Sequence, residues 1–252
     1  MNNPAGSTGE GSNYYQPGQA RAGAVRQLFT RIAPHYDLIN DLQSLGIHRL
    51  WKRRMVSLLR PEAPARVLDL ACGSGDIVSQ WRRTCPGAQI IGGDLTLPML
   101  QVARSRSAGE SSPSSPRAHW INLDALALPF PPGVFDAVSI AYGLRNMLDP
   151  LLVLKEALRV LRRGGRIAIL DFGRPSNLFI RASYYAMLRT VQPMLGSLFF
   201  RDAAAYGYIY DSLVRYPAQE GVTRLLAKAG FDRIICHDLT LGAMSVHVAT
   251  KC

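Results

Sequence analysis

Between Arg66 and Asp76 the chain reads RVLDLACGSGD, a short apolar run carried straight into a glycine-rich turn. Apolar runs of this length bounded by glycine read as buried strands. Gly73 and Gly75, one residue apart, give the backbone the freedom to turn sharply and approach a ligand closely. A buried strand that ends in such a turn points to an open α/β sheet, in which ligands lie outside the carboxyl ends of the strands.

The rest of the chain repeats the theme. Strands are expected at about 66–71, 88–93, 118–122, 135–141, 165–172, 231–239 and 243–250, with helices at about 75–84, 97–106, 151–162 and 218–229 between them. This alternation predicts an α/β fold with a mainly parallel seven-stranded sheet covered on both faces. Only TLGA separates the last two strands, which predicts a C-terminal antiparallel hairpin at a sheet edge. Two amphipathic helices precede the sheet, the first interrupted at Pro34 and the second ended by Pro61, and together they predict an N-terminal helical lid. Residues 1–22 are rich in Gly, Ser, Asn and Gln and read as a disordered tail, leaving 23–252 as one domain with a helical cap at 23–60. Residues 175–216 interrupt the alternation with a long aromatic and apolar stretch, expected to cover the substrate site, with Phe179, Tyr184, Tyr185, Phe199 and Phe200 as candidate lining.

With 252 residues the chain is long enough to bury a full core. It offers no window of 18 or more uninterrupted apolar residues, and its start lacks a secretory signal pattern, so a cytoplasmic protein without a membrane span is expected. Its four cysteines form no CxxC pair, which predicts reduced thiols and no metal site. The net charge of +11 fits either an ordinary solvated surface or docking on an anionic partner.

The ligand of the glycine turn is decided by its neighbours. A dinucleotide turn has a third glycine, but position 78 is Val. Asp69 lies on the strand before the turn and Asp76 directly after it; carboxylates there would repel a pyrophosphate. S-adenosylmethionine carries an ammonium and a sulfonium, which such acids favour. Asp94 ends the second strand, where an acid can accept both ribose hydroxyls, and Asp124 follows the third, placed to accept from the adenine amino group. S-adenosylmethionine is therefore the expected cofactor, giving S-adenosylhomocysteine as product.

With these residues in place, the chain resembles the class I, Rossmann-like S-adenosylmethionine-dependent methyltransferases, and among them the ubiquinone/menaquinone biosynthesis C-methyltransferases. YDLINDLQSLGIHRLWKR, from Tyr36 to Arg53, resembles their N-terminal signature; AYGLRNMLDP resembles their GLRN motif, and RVLRRGGRIAILDFGRP their second signature. Asp171 departs from the Glu of most of the family, and IHRLW, CGSGD and GAMSVHVATK look more like the menaquinone and phylloquinone branch than the ubiquinone branch. The resemblance implies cofactor contacts at Asp69, Gly73, Ser74, Gly75, Asp94, Leu95, Asp124 and Ala125. Ala141 stands where some relatives have a cofactor-contacting Ser.

The implied reaction is methylation of a ring carbon in a reduced, prenylated or phytylated quinone. Arg145 is the first catalytic candidate, since a guanidinium beside the quinol oxygen favours the phenolate, and Asn146 would orient it. The alternative for Arg145 is a helix cap or a pair with Asp149. His35 and Tyr36 are candidate bases or relays, whereas His48 and Trp51 read as packing and lid residues, and His119, His237 and His247 receive no role. A tail-bearing substrate makes peripheral contact with anionic membrane the preferred use of the positive charge, with nucleic acid disfavoured and a homodimer a further expectation. Competing readings are a nucleic-acid base methyltransferase, which usually carries an Asn/Asp-Pro-Pro-aromatic motif where this chain has AYGLRN, a methyltransferase of a sterol or tocopherol precursor, and a non-catalytic cofactor-binding subunit.

Overall fold

The computed structural model describes residues 19–62, 65–109, 118–200 and 216–252; the 1–22 tail therefore lies almost wholly outside the described residues. Seven strands form one sheet: β1 (Arg66–Leu70), β2 (Gln89–Asp94), β3 (Ala118–Asn122), β4 (Phe135–Ala141), β5 (Leu161–Phe172), β6 (Asp232–Leu239) and β7 (Met244–Thr250). Their order is β3-β2-β1-β4-β5-β7-β6, with β7 antiparallel to both β5 and β6 and the other pairings parallel. The expected hairpin is present, and its second strand lies inside the sheet while β6 forms the edge.

Helices α1 (Gln19–Ile32), α2 (Tyr36–Ser44) and α3 (His48–Leu59) precede the sheet, followed by α4 (Asp76–Thr84), α5 (Leu97–Gly109), α6 (Pro150–Val160), α7 (Leu178–Phe200) and α8 (Ala218–Ala229). Side chains alternate between the two faces of each strand, and both faces are apolar because both are covered. Val67, Ala137 and Ala168 pack with Met55 and Leu59 of α3 and Val78 and Trp81 of α4. Leu68, Val138 and Ile167 pack on the other face with Leu154 of α6 and Leu226 of α8. Local chemistry sets the helix ends. Pro34 gives a 3-10 turn (Ala33–His35) between α1 and α2, and Arg60 before Pro61 leaves helical space at ψ 108. Asp149 accepts from Leu152 N at 3.0 Å as the N-cap of α6, with Pro150 at the first helical position.

One expectation shifts. The helix ends at Val160 rather than at 162, and β5 begins at Leu161, four residues before the apolar run at 165–172. Phe135 pairs with Leu161 and Ala137 with Arg166, a bulge that Gly164, at φ 75, permits.

The chain leaves β1 and β4 toward neighbouring strands on opposite sides, so their carboxyl ends form the crevice of the sheet. Both ends are sharply turned. Ala71 has φ 54 and Tyr142 φ 57, left-handed values that non-glycine residues seldom adopt. The two turns touch: a Cβ on Gly143 would lie 2.6 Å from the Cβ of Ala71. Strained backbone of this kind concentrates at functional sites.

Candidate active site

The glycine turn sits in the crevice. Gly73 has φ 53 and Gly75 φ 87, and a side chain on Gly75 would strike the Trp120 indole at 2.6 Å. Asp94 links the turn to β2, accepting from Gly73 N at 2.9 Å and from Thr96 N at 2.7 Å. Burial raises its carboxyl above the ordinary range, partly offset by those two amide donors. Asp69 is buried beneath the turn, its Oδ1 accepting from Ser139 Oγ at 2.6 Å while its Oδ2 is buried without a hydrogen-bond partner. Burial pushes its carboxyl up to about 7. Leu95 is exposed beside Asp94, and the exposed Asp124 closes a turn by accepting from Leu126 N at 2.9 Å, with Ala125 half-buried after it.

The N-terminal helices reach over this turn. Ser74 Oγ donates to Asp37 Oδ1 on α2 at 2.6 Å, and Arg106 of α5 bridges Asp37 at 2.8 Å and Asp76 at 2.5 Å. Lys52 of α3, itself buried, holds the other oxygen of Asp76 at 2.5 Å. Burial pushes the Asp76 carboxyl up, but Lys52 and then Arg106 outweigh it and hold the carboxyl below its usual range. This chain of ion pairs fastens α2, α3 and α5 around the start of α4.

Beside the turn opens a cavity of about 630 Å³, walled mainly by apolar side chains from α1, α2, α7 and the loop before β7. Its polar lining includes Tyr36, Asn40, His48, Tyr142, Arg145 and Asn146. Tyr36 also borders the cofactor side, since a Cβ on Gly73 would lie 3.8 Å from its ring. Burial raises its phenol above the ordinary value, against the Asn40 hydrogen bond and the Arg145 charge. Arg145 Nη1 donates to Asp171 Oδ1 at 2.9 Å and to Tyr142 O at 2.7 Å, and its guanidinium lies 4.8 Å from the Phe172 ring centre. Asn146 donates to the same carbonyl at 3.2 Å. The partner of Arg145 is thus Asp171 rather than Asp149, because Asp149 is committed to the cap of α6.

Of the sequence candidates, Arg145, Asn146 and Tyr36 meet at the cavity, and Asp69, Gly73, Ser74, Gly75 and Asp94 meet at the turn. His35 is exposed and lies outside the cavity wall. Phe179 and Tyr184 line the cavity from α7, while Tyr185 is stacked at a tilt on Tyr184; the side chains of Phe199 and Phe200 fall outside the described residues. Sequence reasoning missed Asp171, Tyr142 and His48 as members of the site. The one signal was that Asp171 is a carboxylate on an otherwise apolar central strand, which calls for a buried cation.

The turn suits S-adenosylmethionine. Asp69 keeps a buried carboxylate oxygen for which the protein supplies no donor, and the acids at Asp69 and Asp94 match an ammonium and a ribose diol rather than a pyrophosphate. Among the described residues no group of His, Cys, Asp or Glu is arranged to hold a metal ion.

Sheet order, hairpin and crevice together define a class I S-adenosylmethionine-dependent methyltransferase fold. A solved S-adenosylmethionine-dependent methyltransferase of Thermotoga maritima superposes with a TM-score of 0.64 at 21% identity, covering 90% of this chain and 99% of that one. A phosphoethanolamine N-methyltransferase of Haemonchus contortus, solved with S-adenosyl-L-methionine, gives 0.56 at 17% identity, over 79% of this chain and 52% of that one. Within this class the chain belongs to the ubiE/COQ5 methyltransferase family, whose profile matches residues 17–251. A demethylmenaquinone methyltransferase of Thermus thermophilus is 39% identical over 224 residues, 89% of this chain and all of that protein. A ubiquinone/menaquinone biosynthesis C-methyltransferase of Pseudomonas paraeruginosa is 37% identical over 236 residues, 93% of this chain and 91% of that protein. The protein is a methyltransferase and S-adenosylmethionine is its methyl donor.

Proposed function

We propose that the protein methylates a ring carbon of a prenylated or phytylated 1,4-naphthoquinol, demethylmenaquinol or demethylphylloquinol, completing the naphthoquinone ring. The observation that carries this reading is the mainly apolar cavity beside the cofactor turn, with Tyr36, Tyr142 and Arg145 in its polar lining. Such a cavity suits a hydrophobic substrate with a polar head. The name of the Thermus relative supports the naphthoquinol ring, and that of the Pseudomonas relative supports a benzoquinol as the second reading.

In this proposal Asp69, Gly73, Ser74, Gly75, Asp94, Leu95, Asp124 and Ala125 hold S-adenosylmethionine, which supplies an electrophilic methyl group on a sulfonium. The protein's own groups prepare the ring. A phenolic hydroxyl has a pKa of about 10, so a neutral quinol carbon is a weak nucleophile. Arg145, fixed by Asp171 and the Tyr142 carbonyl, places a positive charge at the cavity wall. An opposite charge at contact distance lowers an acidic pKa by roughly 1–3 units. Asn146 holds the same carbonyl and so the loop that carries Arg145. Tyr36 sits between cavity and turn, where it aligns the ring; alignment of two reactants supplies on the order of 7–11 kcal/mol.

Tail and membrane follow from the rim. Leu45, in left-handed conformation, is 86% exposed, as is Phe179, and Leu241 is 73% exposed; all three line the cavity mouth. No helix among the described residues is long and apolar enough to cross a membrane. The rim, with exposed Arg49, Arg53 and Arg54 on the adjoining α3, would dock a cytoplasmic enzyme on anionic lipid and admit the tail.

Incubation with methyl-labelled S-adenosylmethionine and demethylmenaquinol, demethylphylloquinol or a demethylated benzoquinol, with and without reductant, tests the reading. Label is expected only in the reduced naphthoquinols. Transfer to the benzoquinol alone would move the assignment to the second reading, and cofactor binding without transfer to any quinol would reject both.

A further inference from the structure

The cavity wall contains an ionisable group to which the proposed function gives no task. His48, the first residue of α3, is only 4% exposed and is one of the residues that line the cavity. Its Nε2 lies 2.8 Å from Asp41 Oδ1 on α2. Asp41 is gripped from its other side by Arg49, whose Nε and Nη2 donate to its two oxygens at 3.0 Å and 2.6 Å. Arg49 and then His48 hold the Asp41 carboxyl down at about 2, so it is ionised at any working pH.

That pairing fixes the imidazole. A carboxylate only accepts, so Nε2 must carry the hydrogen that it shares with Asp41. The other nitrogen, Nδ1, is then a bare lone pair, and it is buried with no hydrogen-bond partner from the protein. The charged groups facing the ring are Asp41 from α2, Lys52 one turn along α3, and Asp76 from α4. Burial, followed by the Lys52 charge, lowers the ring's proton affinity below that of an ordinary histidine, outweighing the pull of Asp41 and Asp76. At neutral pH the ring is therefore uncharged and able to take a proton. A neutral imidazole whose tautomer is set by an ionised carboxylate is the arrangement of a general base.

We propose that His48 is the proton acceptor for the quinol hydroxyl and that Asp41 is its positioning residue. This rests on the quinol reading of the site. The hydroxyl proton passes to Nδ1, and the electron pair of the O–H bond remains on the oxygen and delocalises to the ring carbon beside it. After that carbon has gained its methyl group it loses its own hydrogen as a proton, while the oxygen regains one from the imidazolium. One proton is released for each methyl transferred, and the histidine returns to its neutral form. Asp41 stabilises the transient imidazolium without itself taking the proton.

The test compares wild type, His48→Gln and Asp41→Asn in anaerobic assays on reduced demethylmenaquinol across pH 5.5 to 10, with cofactor affinity by calorimetry and thermal melting as controls. His48→Gln is expected to lose about 10²–10⁴-fold in kcat at pH 7, the usual worth of general-base help, with cofactor affinity unchanged. Its rate should climb toward pH 10, where the quinol ionises unaided, whereas the wild-type rate levels off above the histidine's depressed pKa. Asp41→Asn frees the tautomer and should show the same climb with a smaller loss. Variants that fold and bind cofactor but keep the wild-type pH profile would overturn the proposal, whether their rates are unchanged or uniformly lowered, because a purely structural histidine would behave that way. Wild type inactive on every quinol would overturn the quinol reading itself, an outcome separate from any behaviour of the variants.

Discussion

At the carboxyl edge of the sheet, position is set by backbone. Gly73 and Gly75 take left-handed conformations, Asp94 ties the turn to β2 through two amide donors, and Asp69 is locked on Ser139. Across the cavity the helical cover presents a mainly apolar wall, and at the rim Leu45, Phe179 and Leu241 expose most of their surface. The two regions meet at Tyr36, Tyr142 and Arg145. On the proposed function the two regions have different tasks: the edge would hold a small polar cofactor in one geometry, and the cover would adapt to a long flexible tail.

Breaking the edge should do the most damage. Gly75→Val places a β-branched side chain at φ 87 and against Trp120 at 2.6 Å, and overpacking and backbone strain each cost about 1–3 kcal/mol. Calorimetry should detect no cofactor binding to this variant; binding at wild-type affinity would mean the turn is as adaptable as the cover. At the junction, Arg145→Ala should lower kcat by about 10²–10³-fold, the range for losing a preorganised electrostatic donor, and leave cofactor affinity intact.

Asp69 sharpens the comparison through pH. Its folded value of about 7 lies above the ordinary 3.8, so the folded state holds the proton more tightly than the unfolded state. Stability is therefore lost as pH rises from about 4 to 7, by on the order of 4 kcal/mol at about 1.4 kcal/mol per unit. Without cofactor, Asp69→Asn should melt increasingly above wild type over that interval, yet bind cofactor more weakly. A pH-independent difference in melting would show that Asp69 does not titrate there. The smallest effect belongs to the rim. Leu45→Ser with Phe179→Ser should weaken binding to anionic liposomes by roughly tenfold or more, given about 1.5–3 kcal/mol for burying each side chain, while turnover of a tailless quinol in detergent stays unchanged.

The same contrast explains what could be read before the fold was known. The edge was legible because its requirements are local: glycines at the turn, acids at or just past the ends of the first three strands, and apolar runs whose length gives the strands. Helix α8 and strands β3 and β4 fall on the expected residues for the same reason. The cover was legible as two amphipathic helices and an apolar stretch, but not in the contacts it makes. The pairing of Arg145 with Asp171 joins residues 26 apart on different elements, and the His48–Asp41 contact depends on a left-handed Leu45 folding α2 back on α3. Neither leaves a periodic trace in the sequence. His48 reads as packing when seen on its helix alone, and becomes a chemical group only once Asp41 is beside it.

On the proposed function, quinol ring and cofactor meet where edge and cover join. A crystal structure of the protein with S-adenosylhomocysteine and demethylmenaquinone tests it directly. The ring is expected between Tyr36 and Arg145, its unmethylated carbon facing the sulfur, with the tail running past Tyr184 and Phe179 to the rim. A ring bound outside that junction, or a tail directed away from α7, would contradict it.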